Sequence, residues 1–420
     1  MFNLFYQKTA NRKAIKSGEL IALIACIMML TAVAIDIMLP AFDDLRQSFG
    51  LRKESTVTAQ IVTFFFLGQI GQLVYGPLSD RFGRLAILRI GFLLYIGGCV
   101  ATAFLPNLQA ILAARFVVGM GAAAMTVSAV ACVRDRFVGD RMARTMSLVL
   151  TIFLFVPVIA PFVGSAILAV TSWQGVFLTP AWIAIVVLIW SFRLDESLAP
   201  ERRLPLDGRT LLGSARLVLS NQLFTRYTTI TVILFSAFSS YIGSSERIIG
   251  EIYGRPELFV WLFAAVGVTM ALFTFVNAQL VGRIGAQRAI RFLLLTYLLV
   301  ASILFGLTLW RQGTPNLYVF FICVALLQGI QVAISPNSSA LALEPLGATA
   351  GMAAAINGAA FFVVGSMLGS LIDRLLVNSI TPLAVGYLLA GLVANALVYV
   401  AVPHSMPAPN QELAQPVQLS

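Results

Sequence analysis

Charge is what this chain has least of. Only 11% of its 420 residues are Asp, Glu, Lys or Arg, where a soluble globular domain carries about a quarter. Histidine occurs once, at His404, and the four cysteines, Cys26, Cys99, Cys132 and Cys323, are scattered in or beside apolar segments. They form no CxxC pair and no cluster with histidine, so their spacing implies neither a disulfide nor a metal site. No nucleophile–base set and no phosphate-binding loop stands out, so neither an enzymatic activity nor a cofactor is expected. A membrane sensor would need a substantial soluble domain to carry its signal, and the sequence offers none.

Hydrocarbon-like sequence fills the space instead: 59% of residues are hydrophobic and the mean hydropathy is +0.91. A membrane-spanning helix needs roughly 20 apolar residues. Such runs fall at 19–40, 56–76, 85–105, 108–131, 145–168, 174–193, 227–250, 257–279, 289–309, 316–336, 348–372 and 381–402. The expected fold is an all-α polytopic membrane protein, with twelve transmembrane helices in two pseudo-symmetric six-helix bundles. Its parts are a cytoplasmic N-terminal segment (1–18), a first bundle (19–193), a cytoplasmic linker (194–226), a second bundle (227–402) and a disordered cytoplasmic tail (403–420). The first apolar run is too long for a signal-peptide core and is expected to be a retained span.

The net charge of +10 follows membrane orientation rather than nucleic-acid binding. With the N-terminus inside, 20 of the 28 Lys and Arg residues collect on the inner side and 7 on the outer, with Arg115 left inside a span. This satisfies the positive-inside rule and makes both termini cytoplasmic. The linker contains ESLAPERRLPLDGR, and after it Leu211, Leu212, Leu217 and Leu219 are interspersed with Arg209, Ser214 and Arg216. The pattern fits either a short amphipathic helix on the inner leaflet or a plain tether.

Asp36 is the most informative single residue. It sits alone in LIALIACIMMLTAVAIDIMLP, and a carboxylate at mid-membrane costs about 3 kcal/mol on insertion scales. Burial also disfavours the charged form of an acid. Asp36 is therefore expected to bind protons in a transport path, the alternative being an acid permanently paired within the bundle. Arg115, in LAARFVVGMGAAA, is a depth-matched cation. At 1.5 Å per residue both residues fall roughly 9–12 Å below the outer boundary. An Asp36–Arg115 pair is expected, acting in proton coupling or as a static bridge.

Between the second and third spans the chain reads GPLSDRFGR, residues 76–84. Glycines here allow a tight turn and close helix approach, Asp80 suits helix-end N–H groups, and Arg81 and Arg84 suit acids or lipid phosphates. This stretch resembles the signature loop G-x-L-x-D-R-x-G-R of the major facilitator superfamily, matching at Gly76, Leu78, Asp80, Arg81, Gly83 and Arg84. The resemblance implies a latch that stabilises one conformation of the two bundles. Arg115 matches the superfamily's fourth-helix arginine, which is implicated in proton coupling. In span five, Pro157, Pro161 and Gly164 of FVPVIAPFVGSAI resemble the G-P-x-x-G-G antiporter motif, with Ala160 and Ser165 departing from it. The prolines also suit a purely structural kink.

At family level the chain resembles the Bcr/CflA-type drug:proton antiporters, through AIDIMLPAF, GQLVYGPLSDRFGR, ARFVVGMGAAA, Ser172-Trp173 and LAPERR in the first half. VGRIGA and SPNSSALALEPLGATAG extend the likeness more thinly into the second. That implies twelve helices, export from the cytoplasm across the bacterial inner membrane, and coupling to inward proton flow. The partners implied are a small-molecule substrate, protons and the lipid bilayer, with a monomer as the functional unit. Span seven departs from the family at SSYIGSSERIIGEIYG, where Glu246 and Arg247 are either boundary charges or cavity charges. The second alternative suits a dedicated exporter of an endogenous metabolite such as a carboxylate-type siderophore. Tyr241 is a candidate for a lipophilic pocket or for packing. Asn337 and Asn357 are candidates to hydrogen-bond substrate or neighbouring helices.

Overall fold

The computed structural model describes residues 15–399 apart from 54 and 204–206. Residues 1–14 and the tail expected over 403–420 lie outside the described residues. Twelve long helices run through the described residues. The first six are α1 (Ser17–Asp36), α2 (Thr56–Phe82), α3 (Arg84–Phe104), α4 (Leu108–Arg136), α5 (Asp140–Leu168) and α6 (Trp173–Ser191). The second six are α7 (Gln222–Arg247), α8 (Phe259–Ile284), α9 (Ala286–Trp310), α10 (Leu317–Leu343), α11 (Ala350–Leu375) and α12 (Thr381–Tyr399). They pack as two six-helix bundles.

By length and composition, 11 helices among the described residues are apolar enough to cross a membrane. The exception is α7, where Ser and Thr recur along the helix. Its position explains the composition. It is buried along most of its length and packs on α2, α10, α11 and α12. Many of its hydroxyls bond back to its own backbone, such as Thr231 to Thr228 O (2.8 Å), Ser236 to Ile233 O (2.6 Å) and Ser245 to Ile242 O (3.0 Å). A helix enclosed by protein has no need of a lipid-matched surface. Trp182 of α6 and Trp310 of α9 stay exposed, as side chains that meet hydrocarbon do.

Two seams join the halves: α2 lies against α7 and α11, and α5 lies against α8. Phe66 of α2 stacks on Phe362 of α11 at 5.5 Å and meets Phe235 of α7 edge-on at 5.2 Å. Phe361 and Phe362 belong to a π-helical turn, Ala360–Val364, which breaks the regular ladder of α11 at the seam. On the other seam, Phe162 of α5 meets Trp261 of α8 at 5.0 Å. The backbone of α5 is helical throughout, with Pro157 and Pro161 inside it.

The linker contains a helix, Gly208–Ser220, rather than a plain tether. Asp207 caps it, accepting from the N–H groups of Arg209 (3.2 Å) and Thr210 (3.1 Å). The Thr210 hydroxyl and these two N–H groups hold the Asp207 carboxyl below its ordinary range. Val218 is its buried residue, whereas Leu212, Leu217 and Leu219 are exposed.

Candidate functional site

Asp36 closes α1 and is 4% exposed. Among the described residues it has no hydrogen bond and no ion pair. Arg115 is buried nearby on α4, but it does not meet Asp36. Its guanidinium donates to Ala34 O of α1 (2.8 Å) and to Ile61 O of α2 (3.5 Å), and lies 5.1 Å from the Phe65 ring centroid. The shared depth is real, since Ala34 is two residues from Asp36. The expected ion pair is absent for a geometric reason: positions i and i+2 of a helix do not share a face. Backbone carbonyls and an aromatic face take the place of the acid as partners of the guanidinium.

Gly164 of the proline-containing stretch packs against this same turn. A Cβ built on it would lie 2.0 Å from Ile37 O, so only glycine lets α5 approach the end of α1 so closely. The backbone at Pro157 and Val158 lies against Gly267 of α8 in the other half. The three motif residues thus sit on a helix that touches both the Asp36 turn and the opposite bundle.

Glu246 is neither a solvated boundary charge nor an unpaired cavity charge. One guanidinium nitrogen of Arg46, Nη2, donates to both its carboxylate oxygens at 3.0 Å. Arg46 lies on the short helix Phe42–Ser48 that follows α1, so this contact crosses between the bundles. The Arg46 side chain is 1% exposed and also reaches Glu251 at 3.2 Å, Asp43 at 3.4 Å and the Thr58 hydroxyl at 3.2 Å. Arg247 donates to Val377 O at 2.9 Å and lies 3.9 Å from Glu251. Sequence reasoning missed Arg46. The available signal was a lone arginine among acids, in DDLRQ, on the side of the membrane poor in basic residues.

At the opposite end, the Gly76–Arg84 stretch is not the expected loop: α2 continues through Phe82, α3 begins at Arg84 and only Gly83 breaks the helix between them, the whole being held within its own bundle. Arg84 donates to Asp80, to Asp135 of α4 (3.0 Å) and to the Ser79 hydroxyl (3.1 Å). Gly83 has φ +99° and opens α3, a conformation that glycine adopts at no steric cost. The start of α3 is capped by Glu196, whose carboxylate accepts from Arg84 N (3.0 Å) and Leu85 N (3.1 Å). The expected role of Asp80 at a helix end therefore falls to Glu196, from the segment after α6. Ser197 also donates to Asp135 at 2.9 Å, and Arg136 donates to Asp195 O. Arg81 lies over the Phe82 ring at 5.3 Å. Gly76 differs from expectation: among the described residues nothing outside its own stretch of helix stands within 4 Å of its Cβ position, so no close helix approach depends on it.

Tyr241 is buried inside the second bundle, with Phe263 and Phe321 ring centroids at 6.2 and 6.4 Å. Asn337 of α10 donates to Asn277 of α8 (2.9 Å) and Asn357 of α11 to Ser339 of α10 (3.1 Å), while Thr228 of α7 donates to Asn357 (2.9 Å). Both asparagines tie neighbouring helices together in this conformation.

The model of the Major Facilitator Superfamily matches residues 24–358, most of the chain. The chain belongs to the major facilitator superfamily. The transporter is 27% identical over 366 residues to the Bicyclomycin resistance protein homolog of Haemophilus influenzae, covering 84% of this chain and 89% of that protein. It is 28% identical over 352 residues to the Multidrug resistance protein MdtL of Salmonella heidelberg, covering 82% and 84% respectively. In fold it is similar to the crystal structure of a D-xylose-proton symporter, with a TM-score of 0.75 at 15% identity, over 92% of this chain and 98% of that one. The chain is thus a multi-pass membrane transporter, not an enzyme.

Proposed function

We propose that this transporter is a proton-coupled antiporter that exports small lipophilic or cationic compounds across the bacterial inner membrane, working as a monomer with both termini cytoplasmic. One observation carries the reading. Asp36 is a buried acid with no hydrogen bond or ion pair among the described residues, placed where α1 turns, two residues from the carbonyl that holds Arg115. Such an acid is expensive unless it is used. A proton entering from outside neutralises Asp36. Its release inside restores a charge that draws a cationic substrate or the Arg115 guanidinium. The names of the relatives, bicyclomycin resistance and multidrug resistance, support drug-like cargo.

The cycle also needs a closure at each end. The Arg46–Glu246 contact between bundles suits the outer closure. No cross-bundle ion pair accompanies it at the Gly83 end among the described residues, which fits an inward-facing or occluded state. The alternative of a dedicated carboxylate exporter leaned on Glu246 as a cavity charge, and its pairing with Arg46 withdraws that support. The test is a proteoliposome screen under an imposed pH gradient. Gradient-driven movement of structurally unrelated lipophilic compounds is expected. Activity on a single chelator, or none that responds to the gradient, would overturn the reading.

A further inference from the structure

A second buried acid, absent from the sequence-based candidates, lies in the other half of the molecule. Asp373 of α11 is 4% exposed. It continues a stripe with Gly365 and Gly369, spaced four residues apart and hence on one helix face. A Cβ at Gly365 would lie 2.7 Å from the Phe235 ring, and one at Gly369 would lie 2.2 Å from Ser239 Oγ and 2.6 Å from Ser236 O. The glycines therefore bring α11 tightly onto α7, and one turn further the stripe ends in a carboxyl. Its Oδ1 accepts from Ser240 Oγ at 2.6 Å and Ser244 Oγ at 2.9 Å, both on α7.

The groups around it leave its charge uncompensated by any direct ion pair among the described residues. On α7, Arg247 is the neighbouring cation, but its guanidinium is bonded to Val377 O and lies 3.9 Å from Glu251. The part of α2 packed against α11, Ala59–Gly68, carries no charged residue, and neither does the π turn Ala360–Val364. On α12 the titratable groups are Tyr387 and Tyr399, and on α11 itself Arg374 is exposed. A bonded arginine would lock this carboxyl in its charged form. Two serines do not, because a hydroxyl can donate to a carboxylate and accept from a carboxylic acid with a simple rotation. Hydroxyl partners serve both protonation states.

We propose that Asp373 is a second proton-binding site of the transporter, in the second bundle, complementary to Asp36 in the first. A proton from water at the Arg46 end forms an O–H bond on the Asp373 carboxyl, and that bond breaks when the proton returns to water. This deepens the antiport reading and rests on it for the use of the proton, though not for the binding itself.

The test is infrared difference spectroscopy of the full chain in lipid, titrated between mildly acidic and mildly alkaline pH. The carboxylic C=O band assigned to Asp373 should appear on acidification and vanish in Asp373→Asn. It should persist at a displaced frequency in Asp373→Glu, which guards against a variant that merely misfolds. Removing both donors, in Ser240→Ala with Ser244→Ala, should move the titration, which a carboxyl serving only as a structural link would not show. A spectrum unchanged by Asp373→Asn overturns the proposal. If the Asp36 band titrates normally in that case, the antiport reading stands on its own. If neither acid titrates, both fall. A band that follows sodium concentration at constant pH assigns the site to sodium and overturns the proton assignment.

Discussion

Arg46 and Glu246 stand 200 positions apart in the chain, yet one guanidinium nitrogen of the first bonds both carboxylate oxygens of the second at 3.0 Å. This contact joins the short helix after α1 to the end of α7, so it can form only when the two bundles close at that end. Removing one partner of a buried pair typically costs about 3–5 kcal/mol. Here much of that penalty falls on the closed conformation alone.

Glu246→Gln and Arg46→Ala are therefore expected to shift the protein towards opening at the Arg46 end. Cysteine labelling at Ala59 and Gly243, which face each other across the α2–α7 seam, measures this in a background lacking the native cysteines. Labelling should rise severalfold in either variant, and the exchange Arg46→Glu with Glu246→Arg should recover part of the closure. Unchanged labelling would mean that other contacts hold this end shut.

For Asp36→Asn, transport driven by a pH gradient is expected to be abolished while the protein remains folded, because asparagine keeps the shape and loses the proton site. The measurement is uptake into inverted vesicles, with gel filtration as the folding control. Wild-type rates would remove Asp36 from coupling.

Arg115 makes a different prediction, since its partners are carbonyls. Arg115→Gln should lower the thermal stability of the solubilised protein by the equivalent of about 1.5–3 kcal/mol, the range for hydrogen bonds made by a charged group. Arg115→Lys should rescue it only in part, because one ammonium cannot reproduce the planar fork. In a double-mutant cycle with Asp36→Asn, stability coupling should stay below about 0.5 kcal/mol, as for groups that do not touch. A large coupling would place the two in contact.

Glu196→Ala should destabilise the start of α3 by about 1 kcal/mol, the usual worth of an N-terminal cap. Gly83→Ala should do at least as much harm, because φ is +99° and the new methyl would fall 2.5 Å from the Glu196 carboxylate. Melting temperatures of the two variants and their combination provide the check. If Glu196→Ala melts as the unmodified protein does, the cap is not a support of this stretch.

The sequence by itself marked the long helices and their approximate limits, and put Asp36 and Arg115 at a common level. These follow from apolar run length and from a fixed rise per residue along a helix, although α7 is too rich in Ser and Thr for hydropathy alone to mark it as a span. It also marked the Gly76–Arg84 stretch, where the break between α2 and α3 depends on local chemistry at Gly83. Tertiary structure alone decided which face each helix turns to its neighbours, and hence that Arg115 meets carbonyls rather than Asp36. It likewise decided that Glu196 caps α3, that Arg46 finds Glu246, and that Asp373 is enclosed between serines of α7. The reason is physical: depth is set by each segment's own transfer from water to lipid, whereas partners are set by rotation and close approach of helices far apart in the chain.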